Sequence, residues 1–124
     1  MRILFLDDER IRHDAFDREN ADHEVWHAYN MAQFRKALDG NTFDVISFDH
    51  DLGTKEDGND CARFLVEHKE PCWWPNQCVV HSWNPAGAQR IMATLMRACD
   101  EKHMDVIRRP FACREEPIAI GEPK

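Results

Sequence analysis

The sequence predicts an α/β domain in which five parallel strands form one sheet, with helices packed on both of its faces. Short apolar segments of strand length alternate with longer segments whose apolar residues recur at helical spacing. Strands joined by helices of this length pair in parallel through right-handed crossovers. The length of 124 residues also matches one domain rather than two.

The first half of the chain contains two predicted strands and two predicted helices. Residues 2–6 form an apolar strand, and residues 8–20 carry apolar side chains at the spacing of a helix face. Residues 24–28 predict a short second strand. A second helix covers residues 31–38, and Gly40 closes it.

The second half continues this alternation. Residues 43–48 have the β-branched and aromatic content of an interior strand. A helix face follows within residues 61–68, and residues 77–81 predict the fourth strand. An Asn-Pro pair then starts a helix that reaches residue 99, before a fifth strand over residues 104–107.

These elements assign residues 1–111 to one domain and residues 112–124 to a C-terminal tail. The tail contains two prolines and a glycine and lacks a helical stripe, so we expect the last helix to be missing. A missing helix would leave one face open, through which two copies of the chain could form a homodimer.

The composition excludes several classes of function. The net charge is -7 and no run of Lys or Arg is longer than a pair such as Arg108-Arg109, so the broad basic surface that duplex nucleic acid requires is missing. Asp7 and Asp8 stop the apolar N-terminal segment, unlike a signal peptide or a membrane span. Five cysteines without a Cys-x-x-Cys pair indicate reduced thiols. We therefore expect a cytoplasmic protein that binds neither duplex nucleic acid nor a membrane.

Carboxylate side chains follow two predicted strands and should meet at the carboxyl edge of the sheet, where such sheets bind ligands. Asp7 and Asp8 follow the first strand, and Asp49 follows the third. Facing carboxylates repel one another, so this arrangement favours a hard divalent cation such as Mg²⁺. We expect these three residues to hold the cation, with Asp51 or a carbonyl near it completing the set. The alternative for the Asp7-Asp8 pair is stabilising charge at a helix N-terminus.

Polar and basic residues follow the fourth and fifth strands at the same edge. Ser82 and Arg109 are placed to hold phosphate oxygens, the first by its hydroxyl and the second by its charged fork. Asn84 starts a helix whose backbone N–H groups would face an anion. The alternatives are a surface ion pair for Arg109 and simple helix capping for Asn84, which is compatible with phosphate binding.

His50 and His81 are the candidates for proton transfer, because imidazole titrates near neutral pH. Both are predicted at the same edge as Asp49, and together the three form the candidate catalytic group. The alternative for each histidine is a structural role. The remaining histidines lack this placement and receive no role: His13, His23, His27, His68 and His103.

The order of these motifs resembles that of response-regulator receivers. An acidic pair follows strand one, Asp49 ends strand three, Ser82 follows strand four, and Arg109 precedes a Pro-Phe pair. Three longer strings are similar to the cyclic-phosphate processing receiver domain family. They are Phe-Leu-Asp-Asp-Glu-Arg at residues 5–10, Phe-Asp-His-Asp-Leu-Gly at residues 48–53 and His-Ser-Trp-Asn-Pro-Ala-Gly-Ala at residues 81–88.

The resemblance implies a flavodoxin-like, receiver-like three-layer fold with the sheet order 2-1-3-4-5. It also implies that acidic, His and Asn positions handle a cyclic phosphate rather than store a phosphoryl group on an aspartate. The chain departs from ordinary receivers at Arg109, where they usually carry Lys, and in its missing last helix, which receivers use for signalling.

Three functions are consistent with these observations. The leading prediction is a metal-dependent phosphoesterase that opens a cyclic phosphate on a small nucleotide or an RNA end. The second is a receiver that is phosphorylated on Asp49 and read by a partner protein. The third is a nucleotide-binding module without chemistry.

Overall fold

A five-stranded parallel sheet forms the centre of the protein. The computed structural model describes residues 2–8, 24–82, 84–98 and 104–108. The strands are β1 (Arg2–Leu6), β2 (Glu24–Ala28), β3 (Val45–Phe48), β4 (Gln77–Val80) and β5 (Asp105–Arg108). They lie in the order β2-β1-β3-β4-β5, and each neighbouring pair is parallel. The predicted α/β fold and strand order are confirmed.

The boundaries of β3, β4 and β5 differ from the predicted ones by one or two residues, whereas β1 and β2 match them. β3 begins at Val45 rather than at residue 43, because Asp44 closes the amino edge of the sheet instead of extending the strand. Its Oδ2 accepts a hydrogen bond from the N–H of Arg2 at 2.7 Å, and its carbonyl accepts one from the N–H of Asn76 at 3.0 Å. β4 ends at Val80, and β5 lies one residue later than predicted.

Within the described residues, three α-helices follow the strands: α1 (Met31–Ala37), α2 (Gly58–His68) and α3 (Pro85–Ala98). A single 3₁₀ turn at Pro71–Trp73 leads into β4. α2 begins at Gly58, three residues before the predicted helix face. The reason is a capping box, in which the side chains of Asp57 and Asp60 accept hydrogen bonds from each other's backbone N–H groups at 3.0 and 2.9 Å.

Apolar side chains fill the space between one face of the sheet and the three helices. Phe34 of α1, Leu65 of α2 and Ile91 of α3 are fully buried there, and each such side chain contributes ~1.5–3 kcal/mol. A smaller buried cluster lies on the other face: Ile3, Phe5, Val45 and Val79. Residues 9–20 of the predicted first helix and the tail over residues 112–124 lie outside the described residues.

None of the helices within the described residues is long and apolar enough to cross a membrane.

Candidate functional site

The hydrogen bonds of the sheet continue one residue past the strand ends and place three polar side chains side by side. The N–H groups of Asp7, Asp49 and His81 each donate to the carbonyl of the last residue in the neighbouring strand, at 2.9 to 3.0 Å. All three residues directly follow a strand, and side chains alternate between the two faces of a sheet. They therefore project from the same face.

These three residues form a compact group, which we call the acidic cluster. One ligand atom from each of Asp7, Asp49 and His81 lies within 4.8 Å of the others. Asp7 is 3% exposed and His81 is 1% exposed, whereas Asp49 is partly exposed. Two carboxylates and one imidazole nitrogen thus converge on a small volume, and Asp49 gives that volume contact with solvent.

The electrostatics of the cluster are most evident at Asp49. Burial of its carboxyl group, followed by repulsion from Asp7, raises the pKa of Asp49 from 3.8 to about 7, and Asp8 and Asp51 add to the rise. The N–H of His50 donates to Asp49 Oδ1 at 3.0 Å, which opposes the rise in pKa. Ionising this cluster therefore costs free energy that a bound cation would offset.

His81 is held by hydrogen bonds at both ring nitrogens. Nε2 lies 3.0 Å from Oδ2 of Asp7, and Nδ1 lies 2.6 Å from the hydroxyl of Ser47. The ring of Phe5 stacks on the imidazole, with centroids 4.8 Å apart and planes 8° from parallel. The sequence predicted His81 as a candidate catalytic residue at the carboxyl edge of the sheet. In the structure the ring lies at that edge, is 1% exposed and is hydrogen-bonded to Asp7.

His27 is a residue of this region to which the sequence assigned no role. Its Nε2 donates to the carbonyl oxygen of Asp7 at 2.7 Å, and its ring packs edge-on against Phe5. The sheet register pairs Phe5 with His27. Once β1 and β2 are taken as parallel neighbours, side-chain alternation puts His27 on the same face as Asp7. That signal was present in the sequence.

His50 lies apart from the acidic cluster. Its Nδ1 is 2.9 Å from Oδ1 of Asp51, and its Nε2 is 3.2 Å from Oδ2 of Asp57. The ring also packs closely against Gly87 of α3, where an added Cβ would lie 2.3 Å from the ring. His50 of the β3–α2 loop thus packs against α3, Asp51 is exposed beside it, and neither belongs to the group of three cluster residues.

Two glycines bring the β3–α2 loop close to the acidic residues. A Cβ at Gly58 would lie 1.8 Å from the carbonyl oxygen of Asp49, and the N–H of Gly58 donates to the carbonyl of His50 at 2.8 Å. Gly53 has a positive φ of 70°, and a Cβ there would lie 3.5 Å from Oδ2 of Asp8. Asp8 is exposed beside this loop and does not join the group of three.

The predicted phosphate-binding residues make local hydrogen bonds. The hydroxyl of Ser82 accepts from the N–H of Asn84 at 3.1 Å, and Oδ1 of Asn84 accepts from the N–H of Gly87 at 3.1 Å. Asn84 therefore caps α3, as one reading of the sequence predicted. Arg108 donates from Nη2 to the carbonyl of Ser82 at 3.3 Å. Arg109 lies outside the described residues.

The family assignment comes from comparison with family models. The model for the cyclic-phosphate processing receiver domain matches residues 2–97. The chain belongs to this family. The matched part of this cyclic-phosphate processing receiver domain includes Asp7, Asp49 and His81. The predicted resemblance is confirmed. No curated protein matches the sequence.

Solved structures similar to this cyclic-phosphate processing receiver domain are receivers. The response regulator domain of Thermotoga maritima CheB has 18% identity and a TM-score of 0.61, with 97% of this chain and 83% of that chain covered. A CheY-like receiver from Methanospirillum hungatei has 15% identity and a TM-score of 0.65, covering 92% and 84%. Thermotoga maritima TrrA, solved in complex with Mg²⁺ and BeF, has 15% identity and a TM-score of 0.64, covering 90% and 88%. At these identities the likeness establishes the fold alone.

Proposed function

We propose that this domain is a metal-dependent phosphoesterase that opens a cyclic phosphate on a small nucleotide or an RNA end. The observation that carries the proposal is the convergence of Asp7, Asp49 and His81 at the carboxyl edge of the sheet. A phosphate ester placed there would meet two carboxylates, so a cation is needed between them. Membership of the cyclic-phosphate processing family supports the choice of substrate class.

The donor set fits a divalent cation. Asp7 and Asp49 supply carboxylate oxygens, and the raised pKa of Asp49 reflects the repulsion that a cation would relieve. Asp8 and the segment around Asp51 would complete the oxygen ligands. The related receiver TrrA was solved with Mg²⁺, and Mg²⁺ shares its coordination with substrate phosphates. When bound, the cation would polarise a phosphoryl oxygen and make a coordinated water easier to deprotonate.

The substrate phosphate would be held on the α3 side of the site. Ser82 and Asn84 lie where α3 begins, and the first N–H groups of a helix favour an anion. Arg109 would supply a charged fork to the same phosphate. The net charge of -7 disfavours a long polyanion, so the site would take only the terminal phosphate.

Ring opening requires one proton to leave water and one to reach the leaving oxygen. Water would attack phosphorus, the bond from phosphorus to one ribose oxygen would break, and the product would be a phosphate monoester. Asp49 is the partly exposed carboxylate of the cluster, so we assign to it the proton that leaves water. His50 would protonate the ribose oxygen, and His81 would orient Asp7 through its 3.0 Å contact.

Turnover on a panel of cyclic nucleotides tests this function. Purified protein with Mg²⁺ should convert a nucleoside 2′,3′-cyclic phosphate, a 3′,5′-cyclic nucleotide or a cyclic RNA end to a monoester, read by chromatography. Asp49→Asn and His50→Gln should remove this turnover, and EDTA should do the same. Asp105→Asn is the matched control, because Asp105 is an exposed aspartate at the start of β5. An inactive wild-type protein across the panel would refute the proposal.

Phosphorylation on Asp49 is a second candidate function. Asp49 directly follows β3 and is partly exposed, whereas Asp7 is buried, so Asp49 is the more accessible acceptor. Incubation with a small phosphodonor and Mg²⁺ should then add one hydroxylamine-sensitive phosphoryl group that Asp49→Asn cannot take. An unmodified wild-type chain would exclude this function. Nucleotide binding without product or modification would instead favour a nucleotide-binding module without chemistry.

A further inference from the structure

A buried hydroxyl lies behind the acidic cluster. Ser47 is in the middle of β3, between strands β1 and β4, and is 0% exposed. Its Oγ lies 2.6 Å from Nδ1 of His81, whose Nε2 in turn lies 3.0 Å from Oδ2 of Asp7. Three buried polar groups from three adjacent strands therefore form one hydrogen-bonded chain that ends at the candidate site.

The chain contains a serine, a histidine and an aspartate, yet its geometry excludes serine as a nucleophile. Ser47 Oγ has no exposure to solvent, and the ring of Phe5 covers a face of the imidazole beside it. A substrate at the carboxyl edge could not reach this hydroxyl. A nucleophilic serine must be accessible to the substrate as well as bonded to its base. Ser47 must act through His81.

We propose that Ser47 is a positioning residue that fixes the ring orientation of His81 and, through it, the carboxylate of Asp7. This role rests on the proposed function, because it concerns how the proposed site holds a cation.

The physical reason lies in the near symmetry of the imidazole ring. Rotating the His81 ring by 180° exchanges Nδ1 with Cδ2 and Nε2 with Cε1, and stacking on Phe5 is compatible with either orientation. Only hydrogen bonds separate the two orientations, and in the flipped ring a carbon would face Asp7. Ser47 favours the productive orientation in both tautomers, because a hydroxyl donates to an unprotonated Nδ1 or accepts from a protonated one.

The position of the hydroxyl supports the same role. The other residues of β3 are Val45, Ile46 and Phe48, all buried and apolar. A serine among them would carry a desolvation cost without a partner, and His81 supplies that partner. Residues behind metal ligands typically change metal affinity or activity by roughly 10–100-fold when they are removed.

The test compares Ser47→Ala with Ser47→Thr, which keeps a hydroxyl, and with Thr94→Val as the matched control. Thr94 is also buried and donates to Asn59 Oδ1 at 2.7 Å, but this bond joins α3 to α2 rather than the cluster. Nitrogen NMR of the His81 ring in metal-free protein should show one ring form in the wild type, Ser47→Thr and Thr94→Val. In Ser47→Ala it should show a changed or mixed form. Mg²⁺ affinity, measured by calorimetry, should fall by about 10-fold in Ser47→Ala only.

The outcomes separate this inference from the proposed function. An unchanged His81 ring spectrum in Ser47→Ala would overturn the positioning role, whatever the activity. If the wild type binds no Mg²⁺, the metal-dependent function fails, and the ring spectra of metal-free protein still decide the role of Ser47. If Ser47→Ala does not fold, Ser47→Cys replaces the hydroxyl with a weaker donor of similar size, and the same ring signals decide.

Discussion

Replacing Asp49 with asparagine should stabilise the metal-free protein at alkaline pH. The pKa of Asp49 is about 7 in the folded protein against 3.8 as its ordinary value, because of burial and the charge of Asp7. That difference corresponds to at most ~4 kcal/mol of destabilisation when the group is ionised. Because Asp49 is partly exposed, solvent screening reduces the expected gain to ~1–2 kcal/mol.

The pH dependence has a definite sign. Between about pH 4 and pH 7 the folded protein binds a proton at Asp49 that the unfolded chain has released. The free energy of unfolding of the wild type should therefore fall as the pH rises through this window. Asp49→Asn lacks this titration, so its advantage should be full above pH 7 and should vanish near pH 4, where both side chains are neutral.

Urea denaturation in EDTA, followed by tryptophan fluorescence at pH 4.5, 6 and 8, measures this effect. Asp105→Asn is the control, since its carboxyl is exposed at the amino edge of the sheet. Adding Mg²⁺ should stabilise the wild type more than Asp49→Asn, by an amount that grows with the concentration of the ion. A variant less stable than the wild type at pH 8 in EDTA would refute the electrostatic account of the cluster.

Three further substitutions test the structure around the site, and urea denaturation measures the free energy of unfolding of each variant. Gly58→Ala should lower the free energy of unfolding by about 3 kcal/mol, because its Cβ would lie 1.8 Å from the carbonyl oxygen of Asp49 and the loop must shift. A Gly58→Ala variant as stable as the wild type would contradict this prediction. Trp74→Phe should cost about 2 kcal/mol, since the indole N–H is bonded to two carbonyls at the end of α2, and an unchanged midpoint would show that those bonds contribute nothing. Thr94→Val should cost about 1 kcal/mol through its lost hydrogen bond to α2, and a neutral result would contradict it.

The fold was predictable because the pattern along the chain is regular. β1 and β2 occur at the predicted residues, and the remaining strands differ by at most two positions. The main differences came from side chains that bond to the backbone. Asp44 ends the amino side of β3, and Asp57 with Asp60 starts α2 three residues before the predicted helix face. The spacing of apolar residues along the sequence does not reveal hydrogen bonds from side chains to the backbone.

The site was predictable in part for the same reason. Residues that follow parallel strands meet at one edge, so Asp7, Asp49 and His81 could be placed together from the sequence. The sequence could not separate His81 from His50, since both follow strands and both are histidines. It also gave no reason to connect Ser47 with the site, because a polar residue inside a strand shows its partner only when the register is known.

An offset of one residue explains why the two histidines of the site cannot have the same role. His81 stands one residue past β4, in line with Asp49 one residue past β3, so its ring shares a face with the carboxylates. His50 stands two residues past β3, and alternation turns it toward α3, where it contacts Asp51 and Asp57. The one-residue offset thus pairs His81 with the Asp7 carboxylate and His50 with the carboxylates of Asp51 and Asp57. In the proposed chemistry, His81 directs Asp7 and His50 delivers the proton to the leaving group.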